Sequence, residues 1–169
     1  MKLLKTLLFI MIILGLGKQG QSQTVEHLLC DDYWVTVDFS YHSLSASHFT
    51  FRGEADRCHA DSNSSYPFDE KIYIFIYNHY DSSGAQEEFQ DEKAASTTID
   101  GYMEVYNLGD EAFAILRTEF GKLDSIIIEV VKGQYTIQFD INGNSANNSN
   151  NRFTKDTVLD FARTVVEGL

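Results

Sequence analysis

Asp56, His59 and Asp61 lie within six residues of one another in a polar stretch. An imidazole beside carboxylates is a minimal set for general acid/base hydrolysis, provided a cleft brings the groups together and shifts their pKa values. Adjacent Cys58 suggests a thiol nucleophile, but catalytic Cys and His residues normally come from distant segments, and Cys58 has a partner thiol in Cys30. His27, His42, His48 and His59 also cluster around the two cysteines. A metal site would need His48, His59 and carboxylates to converge, yet neither Cys-x-x-Cys nor His-x-x-x-His spacing is present. Gly-x-Ser-x-Gly, Ser-x-x-Lys, His-Glu-x-x-His, a phosphate-binding glycine loop and a dinucleotide fingerprint are all missing from the sequence. No catalytic residue, metal or cofactor is therefore assigned.

Aromatic residues are the strongest chemical signal. Tyr33, Trp34, Phe39, Tyr41, Phe49, Phe51, Tyr66 and Phe68 crowd the N-terminal half, followed by Tyr73, Phe75, Tyr77 and Tyr80. Exposed Tyr and Trp are typical of recognition surfaces, although buried strands favour the same residues for packing. Trp34, Tyr73, Phe75 and Tyr77 are the candidate contact residues for a ligand or partner. Glu87, Glu88, Asp91 and Glu92 form an acidic cluster, read as the solvated side of an amphipathic helix.

The elements that must position these residues centre on 124–141. Ile126 to Val131 are mostly β-branched, Gly133 tolerates positive φ, and Tyr135, Ile137, Phe139 and Ile141 alternate with polar residues. That pattern predicts an antiparallel hairpin. Residues 71–80 predict a central strand, with Ile72, Ile74 and Ile76 on one face and Tyr73, Phe75 and Tyr77 on the other. Alternation of Val35, Val37, Phe39 and Tyr41 predicts another strand, preceded by a short helix over 24–32, and 48–52 predicts a further one. Polar residues 53–67 predict a loop, 85–96 a helix, and 102–106 and 112–118 two strands leading into the hairpin. Residues 142–151 predict an Asn-rich loop. Thr154 predicts the N-cap of a last helix striped by Val158, Phe161, Ala162, Val165 and Val166, with Phe153 as its staple. The expected fold is α+β: an antiparallel meander of about five to six strands, with the C-terminal helix and the 85–96 helix on one face.

Residues 1–22 read as a secretory signal peptide, with Lys2 and Lys5 ahead of an apolar run too short for the ~20 residues of a bilayer span. Cleavage after Ser22 would leave 23–169 as a single α+β domain, secreted or periplasmic, without a membrane span. It would also remove three lysines and no acid, moving the formal charge from −12 to −15. Such a chain is mismatched to nucleic acid and to anionic membranes; it fits first a solvated extracytoplasmic surface, and alternatively attraction to a basic partner. In an oxidising compartment, Cys30 and Cys58 read as one disulfide. Asn63 and Asn147 are glycosylation sequons wherever the host modifies exported chains.

Gly109-Asp110-Glu111-Ala112-Phe113, residues 126–133, the returning strand and the final helix resemble small exported bacterial envelope proteins of uncharacterised function. Many of those are lipoproteins with an N-terminal cysteine pair. The likeness covers the C-terminal third and the spacing of Cys30 and Cys58; it implies compartment and fold but no reaction. This chain departs from it by lacking a lipid-attachment cysteine behind the apolar run, so soluble export replaces anchoring. Together these features predict a non-catalytic binding or protein-interaction module for an unknown protein or small ligand. A secreted hydrolase built on Asp56, His59 and Asp61, or a metal-binding protein, is the alternative.

Overall fold

The computed structural model describes residues 30–119, 122–143 and 150–169. The expected leader, most of the 24–32 helix, the centre of the Asn-rich loop and Asn147 lie outside the described residues. Among the described residues, seven antiparallel strands form one sheet: β1 (Phe49–Gly53), β2 (Arg57–Ser62), β3 (Lys71–Asn78), β4 (Tyr102–Val105), β5 (Glu111–Glu119), β6 (Lys122–Lys132) and β7 (Tyr135–Asn142). Their spatial order is β1-β2-β3-β7-β6-β5-β4. The expected α+β class with an antiparallel sheet is present. Instead of one continuous meander, however, the sheet is two, β1–β3 and β4–β7, joined where β3 pairs with β7.

Among the described residues, three α-helices accompany the sheet: α1 (Cys30–Thr36), α2 (Ser82–Ser96) and α3 (Lys155–Glu167). The inward sheet face holds the main core, with Ile72, Ile74, Ile76, Ile126, Ile128, Ile137, Phe139 and Ile141 fully buried. α3 lies on this face as expected and buries its Val158, Phe161, Ala162, Val165 and Val166 stripe. Thr154 Oγ1 accepts the Thr157 N–H at 3.3 Å, and Thr157 Oγ1 accepts the Thr154 N–H at 2.8 Å. Phe153 is buried and packs its ring on Phe161, 5.1 Å between centroids. The Lys132 ammonium donates to the carbonyl of Val166 at 2.8 Å, neutralising the negative end of the helix. The hairpin turns through Gly133-Gln134, with Gly133 at φ +57°, where its N–H donates to Asp110.

Three expectations need correction. The alternating residues after Val35 are not a strand: α1 is followed by a 3-10 turn over Phe39–His42. Helical spacing of Cys30, Tyr33, Trp34 and Val37 wins, because it buries all four while Val35 and Tyr41 stay 83% and 72% exposed. Residues 53–67 are not wholly loop, since they include β2, whose inward Cys58 and Ala60 are too small to mark a strand by hydrophobicity. Finally, α2 does not share the face of α3. It packs Ala85 and Phe89 on Phe113 and Val131, whose side chains leave the sheet opposite to Ala112, Ala114 and Val130.

Cys30 and Cys58 are joined in a disulfide across 28 positions, tying α1 to β2. Among the described residues, no helix is long and apolar enough to cross a membrane. Closing a loop of that length stabilises by about 3–4 kcal/mol through the unfolded chain. The Cys30→Ala/Cys58→Ala variant is expected to lose that amount in urea unfolding relative to the oxidised parent. The same variant compared with the reduced parent should differ little.

Candidate functional site

The outward face of β3 carries Tyr73, Phe75 and Tyr77 in a row, because side chains two apart share a face. The strand register sets their neighbours. Tyr73 lies between Asp61 and Asp140, Phe75 between His59 and Gln138, and Tyr77 between Arg57 and Thr136. Tyr73 is 37% exposed, and Phe75 and Tyr77 are half-buried. The Arg57 guanidinium sits 4.4 Å over the Tyr77 ring, a cation–π contact. The His59 ring meets Phe75 edge-on at 4.9 Å. Trp34 belongs elsewhere. It is 2% exposed beneath the inward face, stacked on Phe51 at 5.2 Å, and shares no surface with the β3 row.

α2 crosses this outward face and covers only part of it. Asp81 caps the helix by accepting the Gly84 N–H at 2.7 Å. Where α2 leaves the β3 row open, a cavity of about 190 Å³ remains. Phe75, Tyr77, Thr136, Gln138 and Glu129 line it from the sheet, and Glu88 and Glu92 from the helix. Glu129 stands opposite Gln138 on the neighbouring strand and accepts its amide N–H at 2.5 Å. Burial, reinforced by the charges of Glu92 and Glu88, pushes the Glu129 carboxyl up to about 8 despite that bond. At the rim, His79 Nε2 lies 2.9 Å from Thr136 Oγ1 and 3.8 Å from Glu88.

The charge on the far side of α2 is arranged differently. Lys93 donates to Glu111 at 2.6 Å and to Glu104 at 3.0 Å, and both carboxyls are held below their usual range by these bonds. A larger hollow of about 330 Å³ near the end of α3 is lined by Lys132 and Arg163. Both donate to backbone carbonyls there, so its cations are already committed. A third, of about 250 Å³, opens at the start of α3, where the Thr154–Thr157 capping box takes up the first N–H groups.

Asp56, His59 and Asp61 do not form an acid/base unit in this arrangement. Asp61 pairs with Arg52, Asp56 lies in the turn 3.6 Å from Arg57, and the buried Nε2 of His59 makes no hydrogen bond. His48 uses Nδ1 to accept the Ser45 N–H at 3.2 Å. Among the described residues, no group of three His, Cys, Asp or Glu side chains is placed to hold a metal ion. The residue that sequence reasoning missed is Glu129. Its signal was a single carboxylate inside an otherwise apolar run, with Gln138 placed opposite by a two-residue hairpin turn.

No family model, curated protein or solved structure matches the chain.

Because Glu129 titrates near 8 when folded but near the ordinary ~4.3 when unfolded, the folded state holds the extra proton between those values. Its contribution to stability is full below about pH 4, declines as pH rises and is lost above about pH 8. Glu129→Gln keeps the acceptor for Gln138 and removes this titration. Urea midpoints at pH 5, 7 and 9 should fall for the parent across that range and change less for the variant.

Proposed function

We propose that the protein is an exported, non-catalytic binding module whose contact surface is the uncovered sheet face around Tyr73, Phe75 and Tyr77. The observation that carries this reading is the partial cover that α2 gives the outward face. The helix buries Phe113 and Val131 and leaves the β3 aromatic row beside a cavity. Rings held by strand backbones bring large apolar area to an interface with little ordering cost. Their polar neighbours, Arg57, Gln138 and Asp140, give the same face hydrogen-bonding groups. Export is supported by the leader-like residues 1–22, by the disulfide and by the resemblance to small exported envelope proteins. We assign secretion or the periplasm on that basis. The partner is a protein or a small ligand, and the acidic chain matches a basic one.

The test is capture from envelope and culture-fluid extracts with residues 23–169 at low and moderate salt, comparing the parent with Tyr73→Ser/Tyr77→Ser. Both tyrosines project from the outward face, so the double variant should keep the parent's circular dichroism. Loss of a captured species with the fold intact is the expected result. Capture that survives both substitutions would place the contact surface elsewhere.

A further inference from the structure

We propose that the cavity between α2 and β3 is a binding site for a primary ammonium group carried on an apolar or flat body. This rests on the reading of the same face as a contact surface and names the chemistry the face would take. The cavity floor is the pair Phe75 and Tyr77, whose ring faces carry negative electrostatic potential. Arg57 already occupies one side of Tyr77 at 4.4 Å, which shows this ring in use as a cation platform. Glu88 and Glu92, one helical turn apart, hang over the hollow, and Glu129 rises from the floor.

Among the described residues, neither lysine nor arginine pairs with Glu88, Glu92 or Glu129. Lys93 is drawn to Glu104 and Glu111 on the other side of the helix, Arg57 lies over Tyr77 beside Asp56, and His79 approaches Glu88 at 3.8 Å. Gln138 reaches one oxygen of Glu129 at 2.5 Å. The three carboxylates do not converge closely enough to chelate a bare metal ion. A larger cation with an apolar body spans the gap, touching the rings with its body and the carboxylates with its N–H donors. At about 190 Å³ the cavity is smaller than the ~300–1,000 Å³ sites of drug-sized ligands, so it suits one side chain or one small amine. Two sources supply that group: a free amine, and a lysine side chain on a partner.

Charged groups stand near Glu129 from the helix and from the sheet. Glu88 and Glu92 from α2 are its like-charged neighbours, while His79 and Arg57 stand at the rim on the sheet side. Because burial holds Glu129 protonated at neutral pH, an ammonium ligand should bind more tightly as pH rises and displace that proton.

The experiment is an NMR titration of residues 23–169 with benzylamine, with benzyl alcohol as the uncharged control, at pH 6 and 8.5 and at low salt. Nα-acetyl-lysine amide and a tripeptide centred on lysine are titrated alongside. The expected result is shifts confined to the cavity lining, Glu88 and Glu92 on α2 and Phe75, Tyr77, Glu129, Thr136 and Gln138 on the sheet, and benzylamine binding about tenfold tighter than benzyl alcohol. Binding should strengthen at pH 8.5, and Glu88→Gln/Glu92→Gln should weaken it about tenfold. Both substitutions lie on an exposed helix side and introduce a good helix former, so folding is retained. The tripeptide binding more tightly than benzylamine would assign the ammonium to a partner's lysine; the reverse would assign it to a free amine. Equal binding of benzyl alcohol, or no weakening in the double variant, would overturn the proposal. If the tyrosine-dependent capture persists while no ammonium probe moves these signals, the ligand class is wrong and the contact face stands. If ammonium binds but capture ignores Tyr73 and Tyr77, the cavity stands and the wider face fails.

Discussion

The pairing of β3 with β7 is the constraint on which the rest of the sheet depends. It joins strands separated by more than fifty residues and makes one sheet from two meanders. Inward, it sets Ile72 against Ile141, Ile74 against Phe139 and Ile76 against Ile137, all fully buried. A slip of one residue would turn those isoleucines to the outward face, so burial enforces the register. The outward face inherits that register without selecting it. Phe75 stands beside Gln138 because Ile74 and Ile76 must face the core, and Gln138 then meets Glu129 through the β6–β7 hairpin. The hollow's floor is thus a by-product of core packing in geometry, though not in composition.

The inward face is closed by more than hydrophobic burial. Glu70 is 1% exposed and its carboxyl is raised by that burial. It accepts the Tyr66 hydroxyl at 3.2 Å and the Arg152 backbone N–H at 2.7 Å. The Arg152 side chain donates to the carbonyl of His42 at 2.7 Å, and the His42 ring lies against Phe161 and within 3.1 Å of Thr164 Oγ1. Burial and nearby Arg152 keep His42 below its usual range, so it packs as a neutral ring. These contacts fasten the irregular segment after α1 and the entry to α3 onto one core. The disulfide does the same for α1 itself. With its inward side fastened in this way, the sheet carries the β3 aromatic row on its outward side.

Much of this fold was legible in the residues. Apolar side chains on both faces of 71–77 identified a central strand, and the Gly133 turn, the final helix and its Thr154 cap followed from local chemistry. Legibility failed where two periodicities competed or where inward residues were small. Cys30, Tyr33, Trp34 and Val37 satisfy a helical stripe while Val35, Val37, Phe39 and Tyr41 satisfy alternation, and only the tertiary environment chooses. Cys58 and Ala60 bury completely yet carry too little apolar area to announce a strand. At the candidate site, Tyr73, Phe75 and Tyr77 were readable from period two, and the Glu129–Gln138 pair was readable from the hairpin. Trp34 was not separable from them, because nothing local tells which side of a sheet an indole joins. The approach of Glu88 and Glu92 to Glu129 is purely tertiary and leaves no sequence trace.

The acidic side of α2 keeps Glu87, Glu88, Asp91 and Glu92 exposed, as the solvated side of an amphipathic helix should be. The charges near it are nevertheless sorted by side. Towards β4 and β5, Lys93 ties Glu104 and Glu111 into a compensated cluster. Towards β3 and β7, two glutamates overhang a half-buried third on an aromatic floor. Only a narrow set of α2 side chains, Ala85, Phe89 and Ser96, is buried, so packing alone does not demand this orientation of the rest. Like charges gathered beside a low-dielectric surface oppose folding more than the same charges spread in solvent. Protonation of Glu129 relieves part of that repulsion, and its carboxyl is raised accordingly. A surface whose repulsion a specific charge can relieve is electrostatically selective before any contact is made.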